Sequence, residues 1–203
     1  RGQHEVRRSS ARFKVVICGR RWGKSRFGVC DAVGEAYMGG RAWWVAPTYK
    51  IALEAWRELV DRLAPITSRM SEQDKRLELV TGGVIEVWTL DTPDPARGRK
   101  YAFIVIDEAG IVRDLLDVWN AAIRPTLVDL GGKALILGTP KGRSHDFSVI
   151  HTQADSLAGW QSFRGPTAEN PHIPKDEIEA AFGEALEWDN SARRRARRRG
   201  LVR

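Results

Sequence analysis

Seven consecutive residues near the start of the chain have the types and spacing to hold a phosphate group. Gly19-Arg20-Arg21-Trp22-Gly23-Lys24-Ser25 ends in the Gly-Lys-Ser of the pattern G-x-x-x-x-G-K-[ST]. Cys18 stands where that pattern has its first glycine, and a glycine follows one place later. Backbone N–H groups around Arg21 to Lys24, opening a helix, would cradle phosphate oxygens with the helix dipole behind them. Lys24 would meet the β- and γ-phosphates, and the Ser25 hydroxyl would coordinate Mg²⁺. Read without its surroundings, the same string is a strand-to-helix turn with a surface lysine.

Two further groups bear on the same chemistry. Asp107 and Glu108 close the apolar run Tyr101 to Ile106, about 80 residues beyond the lysine. A buried carboxylate without a partner is costly. Mg²⁺ would supply that partner for Asp107. Alternation along a strand sends the next side chain to the opposite face. Glu108 is therefore expected to face away from Asp107, free to orient or deprotonate a water for in-line attack. Thr139, in Leu135-Ile136-Leu137-Gly138-Thr139-Pro140-Lys141-Gly142, offers a small hydroxyl at another strand end. It could sense the γ-phosphate and pass its loss to a moving segment.

These loops need rigid elements to position them, and the hydrophobic pattern supplies candidates. Lys14 to Cys18, Ala42 to Ala46, Tyr101 to Ile106 and Ala134 to Leu137 are short, nearly continuous apolar runs, as in strands buried on both faces. Between them, helical spacing recurs at Phe27, Val29, Cys30, Val33 and Tyr37, stopped by Gly39-Gly40. It recurs again at Ile51, Leu53, Trp56, Leu59, Val60 and Leu63, with Thr48 as a candidate cap and Pro65 as the stop. Arg76 to Val80 and Val84 to Leu90 alternate around Thr81-Gly82-Gly83, a hairpin signal. A helix is expected over 114–123, a polar segment after Gly142, a strand over 160–164, and a last amphipathic helix carrying Ile178, Ala181, Phe182, Ala185 and Leu186. Strands alternating with helices predict an α/β domain with a mostly parallel sheet, whose chemistry lies at the carboxyl ends of its strands.

Composition bounds the reading. A chain of 203 residues, 42% hydrophobic and 29% charged, is long enough for one well-buried core and is not a disordered composition. No run of about 18 apolar residues spans a membrane, and no secretory pattern opens the sequence. Cys18 and Cys30 form no repeated framework, fit a reducing cytosol, and read as small buried residues. His4, His145, His151 and His172 lack ligand spacing. The net charge of +7 is local: residues 193–203 hold seven of the 33 basic residues, and the remainder balances 26 acids. Attraction to a polyanion would therefore belong mostly to that tail.

Taken together, GRRWGKS, Asp107-Glu108-Ala109 and Gly138-Thr139-Pro140-Lys141-Gly142 resemble the ATPase domain of the large terminase subunit, the DNA-packaging motor of tailed bacteriophages. The resemblance covers nearly the whole chain. It implies a P-loop NTPase of the catalytic-glutamate (ASCE, RecA-like) type, with a mostly parallel central sheet flanked by helices. It places an ATPase domain over 1–175 and a helix with an arginine-rich tail over 176–203. ATP and Mg²⁺ are the implied ligands, with Gly19 to Ser25, Asp107 and Thr139 in contact with nucleotide, Ser25 and Asp107 at the metal, and Glu108 catalytic. Arg1 to Val6 resembles the family's adenine-reading glutamine motif, which makes Gln3 its candidate; an amide offers one donor and one acceptor to the adenine edge. Asp94 to Arg99 resembles the loop that supplies a trans-acting arginine, Arg97 fitting best and Arg99 next, with Arg20 as a cis alternative. Trp160 and Thr167-x-x-Asn170-Pro171-x-Ile173-Pro174 resemble the region just beyond the ATPase core.

The resemblance further implies double-stranded DNA, a portal protein, a small terminase subunit and a homo-oligomeric ring, a pentamer on the portal, working in the cytoplasm of an infected bacterium. Large terminases also carry a C-terminal nuclease domain; the matching region ends before it, so no DNA cleavage is expected. Asp176, Glu177 and Glu179 read as a solvated helix face. Two other readings remain. A helicase-like DNA translocase would need a second motor domain. A catalytically idle nucleic-acid-binding module would use the tail alone and hydrolyse no ATP.

Overall fold

In the computed structural model, residues 2–90, 98–142, 144–180 and 183 are described. Strand β1 (Phe13–Cys18) leads through the glycine-bearing loop into α2 (Lys24–Tyr37), after a short first helix α1 (Gly2–Arg8). Then come β2 (Arg41–Ala46), α3 (Tyr49–Leu63), β3 (Thr67–Ser71), β4 (Arg76–Leu79), β5 (Val84–Thr89) and β6 (Phe103–Ile106). The second half holds α4 (Leu115–Val118), a π-helical turn (Trp119–Ile123), α5 (Arg124–Thr126), β7 (Lys133–Gly138), α6 (Asp146–Gln153) and β8 (Trp160–Gly165). Residues 175–180 are helical, with Asp176, Glu177 and Glu179 exposed.

One eight-stranded sheet has the order β3-β4-β5-β2-β6-β7-β1-β8. The six strands from β5 to β8 in that order pair in parallel; β3 and β4 add an antiparallel flap at one edge. Strand β7 lies between β1 and β6. This is the α/β P-loop arrangement expected from the motifs, and it sets the loops after β1, β7 and β6 side by side at the carboxyl edge.

The apolar runs are explained by burial on both faces. Val16, Trp44, Val105 and Leu137 meet α2 and α3 on one side, through Phe27, Trp56 and Leu59. Val15, Val45, Ile104 and Ile136 meet Leu115, Trp119, Ile123 and Phe147 on the other. Leu59 is fully buried, so trimming it to alanine would cost about 2–5 kcal/mol.

Four expectations need correction. The polar opening contains α1, whose burial of Gly2 and Val6 is too little apolar pattern to announce a helix. The helix expected over 114–123 begins at Leu115 and runs on to Thr126, with a π-helical turn at Trp119–Ile123 whose Trp119 and Ile123 are both buried. The polar stretch after Gly142 contains α6, docked through Phe147 and Ile150. Thr48 occupies the cap position of α3 but its side chain makes no capping bond.

Candidate nucleotide-binding site

The loop between β1 and α2 is bent by two left-handed residues, Arg21 (φ 60°) and Gly23 (φ 87°). Glycine adopts that conformation freely, whereas arginine there costs about 1 kcal/mol that the surroundings must offset. Gly19 fixes the start: its N–H donates to the Gly165 carbonyl (2.8 Å), and a Cβ on it would fall 2.3 Å from Thr167 Oγ1. The Gly19 amide is thus engaged by Gly165, the last residue of β8. Cys18 is buried beneath the loop and its thiol is pushed up to about 12 by that burial. Cys30 is exposed, against expectation.

At the start of α2, Lys24 Nζ lies 2.8 Å from Glu108 Oε1. The Ser25 hydroxyl donates to Asp107 Oδ2 (2.8 Å), and Asp107 Oδ1 accepts the Glu108 N–H (2.9 Å). Asp107 is only 3% exposed. Both of its close donors are neutral, and desolvation raises its pKa, with the Ser25 hydrogen bond opposing. A buried carboxylate beside a serine hydroxyl, with Lys24 engaged elsewhere, is a donor set suited to a hard cation that keeps most of its ligands as water and phosphate oxygens.

Glu108 does not face away from Asp107. Strand β6 ends at Ile106, so alternation no longer applies, and Glu108 is itself left-handed (φ 50°, ψ 37°). The twist brings both carboxylates to one cavity of about 450 Å³, shared with Arg20, Lys24, Ser25 and Thr139. Nor is Glu108 free, since Lys24 holds it. Next to it, Gly110 packs so closely on the end of β7 that a Cβ there would lie 2.0 Å from the Thr139 carbonyl. Thr139 and Glu108 therefore sit on backbone segments in direct contact.

A second cavity, of about 540 Å³, opens on the other side of the loop. Gln3, Arg21, Trp22 and Gly23 line it, together with Cys30 and Asn170. Gln3 Nε2 donates to the Trp22 carbonyl (3.1 Å), which leaves its own carbonyl and second N–H for a ligand. The Trp22 ring is buried, in edge contact with Phe27, and its Nε1 donates to Glu169 (3.0 Å).

Arg97 lies outside the described residues, as does the tail at 193–203. Arg99 does not line the cavity that Lys24 and Glu108 share: it pairs with buried Glu86 (2.9 Å) and stacks over Trp88. Sequence reasoning missed Glu169 as a partner of this loop, and had Asn170 only as part of a resembling string. Their separations from Trp22 and Arg21, 147 and 149 residues, leave no local signal. Among the described residues no cluster of three or more His, Cys, Asp or Glu side chains could hold a metal, and no helix is long and apolar enough to cross a membrane.

No family model matches the chain. It is 34% identical over 142 residues to the terminase large subunit of Escherichia phage T5, spanning 68% of this chain and 32% of that protein. It is 30% identical over 210 residues to the terminase large subunit of Thermus virus P23-45, spanning 92% of this chain and 42% of that protein. The chain thus matches a third to two fifths of the length of these relatives. The solved ATPase domain of the Thermus phage P74-26 large terminase superposes with a TM-score of 0.68 at 28% identity, over 81% of this chain and 79% of that one. A large terminase from a thermophilic bacteriophage, solved in complex with ADP, shares the fold at 15% identity, with a TM-score of 0.69 over 89% of this chain and 48% of that one.

Proposed function

We propose that this chain, which belongs to the large-terminase family and has the fold of its ATPase domain, hydrolyses ATP with Mg²⁺ to drive double-stranded DNA into a viral procapsid. The observation that carries the reading is the convergence of Lys24, Ser25, Asp107 and Glu108 on one cavity at the carboxyl edge of the sheet.

In this reading Lys24 exchanges Glu108 for the β- and γ-phosphate oxygens. That exchange releases the Glu108 carboxylate, which then accepts a proton from a water held in line with the γ-phosphorus. Ser25 and Asp107 would hold Mg²⁺, which would supply positive charge toward the phosphate oxygens. Thr139 reads the γ-phosphate, and its contact with Gly110 carries the loss of that group to the Glu108 turn. Gln3 meets the adenine edge in the second cavity. Arg97 is the trans finger supplied to a neighbouring subunit; Arg20, exposed on the rim of the phosphate cavity, is the cis candidate. The assembly follows the family: a ring of identical subunits on a portal, with a small terminase subunit, in the cytoplasm of the infected host, and the seven arginines of the tail available to DNA phosphates.

The test is ATP turnover beside nucleotide affinity. Glu108→Gln is expected to keep the ADP dissociation constant within about three-fold and to lower turnover by about 10²–10⁴. Equal turnover in the two proteins would remove Glu108 from the chemistry. Mixing Arg97→Ala subunits with Glu108→Gln subunits is expected to restore part of the lost rate. No rescue in mixtures, with a rate per subunit independent of concentration, would favour Arg20 in cis.

A further inference from the structure

The end of β8 and the turn after it touch the loop between β1 and α2 at Gly165, Thr167, Glu169 and Asn170. Gly165 accepts the Gly19 N–H (2.8 Å), and a Cβ on Gly165 would fall 2.3 Å from the Trp22 ring. Glu169 accepts the Trp22 Nε1 proton (3.0 Å). Asn170 Nδ2 donates to the carbonyl of Arg21, the residue whose left-handed backbone bends the loop. Asn170 is itself held in place, because its Oδ1 accepts the His172 N–H (2.9 Å) and its N–H donates to the Thr167 carbonyl. Nothing on β1 or α2 replaces these bonds: the Arg21 carbonyl and the indole N–H both point to residues almost 150 positions later.

We propose that residues 165–170 form a clasp on the phosphate-binding loop, in which Glu169 and Asn170 are positioning residues that hold Arg21 and Trp22 in the shape a phosphate chain requires. The inference rests on the nucleotide reading of the site. Its chemistry is that of oriented backbone N–H groups toward an anion: a loop pre-bent by outside bonds spends no binding energy on bending. By reciprocity, a phosphate that fixes the loop also tightens the clasp, so occupancy of the cavity is felt in the segment beyond β8.

The experiment measures binding of Mg-ADP and of Mg-tripolyphosphate, which has no base, to wild type, Asn170→Ala, Trp22→Phe, Glu169→Ala and Glu169→Gln. A hydrogen bond of ordinary net strength corresponds to about 3- to 10-fold in an equilibrium constant. Asn170→Ala, Trp22→Phe and Glu169→Ala are each expected to weaken both ligands by about that factor. Glu169→Gln, which keeps an acceptor for the indole, is expected to stay within two-fold. Amide hydrogen exchange in residues 165–172 should slow on ADP binding in wild type and not in Asn170→Ala. A loss confined to Mg-ADP would make Asn170 a base contact and overturn the clasp. So would unchanged affinity in all four variants, or exchange that ignores the ligand. Should Asn170→Ala not fold, the Trp22 and Glu169 variants carry the same comparison. A wild-type chain that binds neither ligand would overturn the nucleotide reading itself, an outcome distinct from failure of the clasp.

Discussion

Two carboxylates in this sheet are almost equally buried, and their surroundings could hardly differ more. Asp107, at the carboxyl end of β6, is 3% exposed and has a hydroxyl and a backbone N–H for close partners. Glu86, in the middle of β5, is 1% exposed and is closed in by Arg99 (2.9 Å), Arg76 (3.3 Å) and the Tyr101 hydroxyl (2.6 Å). Tyr101 accordingly has its pKa raised, by burial first and by Glu86 second. Glu86 is electrically finished by the chain itself. Asp107 has no cationic side chain in hydrogen-bond contact, only two neutral donors, and under the proposed function the cation it lacks would come from outside the chain. Burial alone does not mark a functional acid; the sign and number of its partners do.

The largest effect expected from this contrast is at Glu86. Glu86→Ala leaves two guanidiniums and a buried phenol without their shared acceptor, and losing one partner of a buried pair typically costs about 3–5 kcal/mol. Both arginines remain roughly one third exposed, so the low end, about 3 kcal/mol, is expected in urea unfolding. Glu86→Gln keeps an acceptor for Tyr101 and should lose about half as much. A loss below 1 kcal/mol for Glu86→Ala would erase the distinction between the two sites.

Asp107 should move the other way. Its folded pKa is raised, so the folded state binds the proton more tightly than the unfolded chain, and stability falls as pH rises from the unfolded value of about 4 through the folded one. Removing the charge with Asp107→Asn is therefore expected to stabilise the nucleotide-free protein by about 1 kcal/mol at neutral pH. The gain should vanish on acidification below about pH 4, where both states carry the proton. Affinity for Mg-ATP should fall in the same variant. A destabilised Asp107→Asn at pH 7, by thermal unfolding without ligand, would mean that the site is already complete.

What the sequence made legible follows from the range of the forces involved. The apolar runs at β1, β2, β6 and β7 betray a sheet covered on both faces, because burial of each residue is written in its own type. The three loops were legible because the types of Lys24, Asp107 and Thr139 stand out locally, and the fold brings these three side chains to one cavity. β3 is an edge strand of sequence Thr-Ser-Arg-Met-Ser with an exposed middle, and pairing with β4 alone leaves no pattern to read. The Lys24–Glu108 pair and the Glu108 twist depend on where β6 stops, which alternation does not encode. The contacts of Glu169 and Asn170 depend on the β1–β8 pairing, a long-range event with no local trace. Glu86 sits in the alternating run Val84 to Leu90, where the period gives its face but not the two arginines that reach it.

The smallest effect concerns Arg99, and it bears on which arginine could serve as the proposed finger. The Arg99 guanidinium lies 4.7 Å from the Trp88 ring centroid while it pairs with Glu86. Arg99→Lys keeps the charge but loses the planar stacking and the fixed fork. An exposed cation–π contact is worth about 0.5–1 kcal/mol, and part of that survives in lysine, so a loss of about 0.5 kcal/mol is expected in urea unfolding. If Arg99 is structural, turnover per folded subunit should be unchanged at every protein concentration, because a residue bound to Glu86 reaches no neighbouring nucleotide. If it were instead the finger, the lysine would cost about as much as removing it, since a point charge does not reproduce guanidinium contacts on a transferring phosphoryl group. A large fall in turnover for Arg99→Lys, rescued by mixing with Glu108→Gln subunits, would show that the bond to Glu86 opens during the cycle. It would also move the trans role from Arg97 to Arg99.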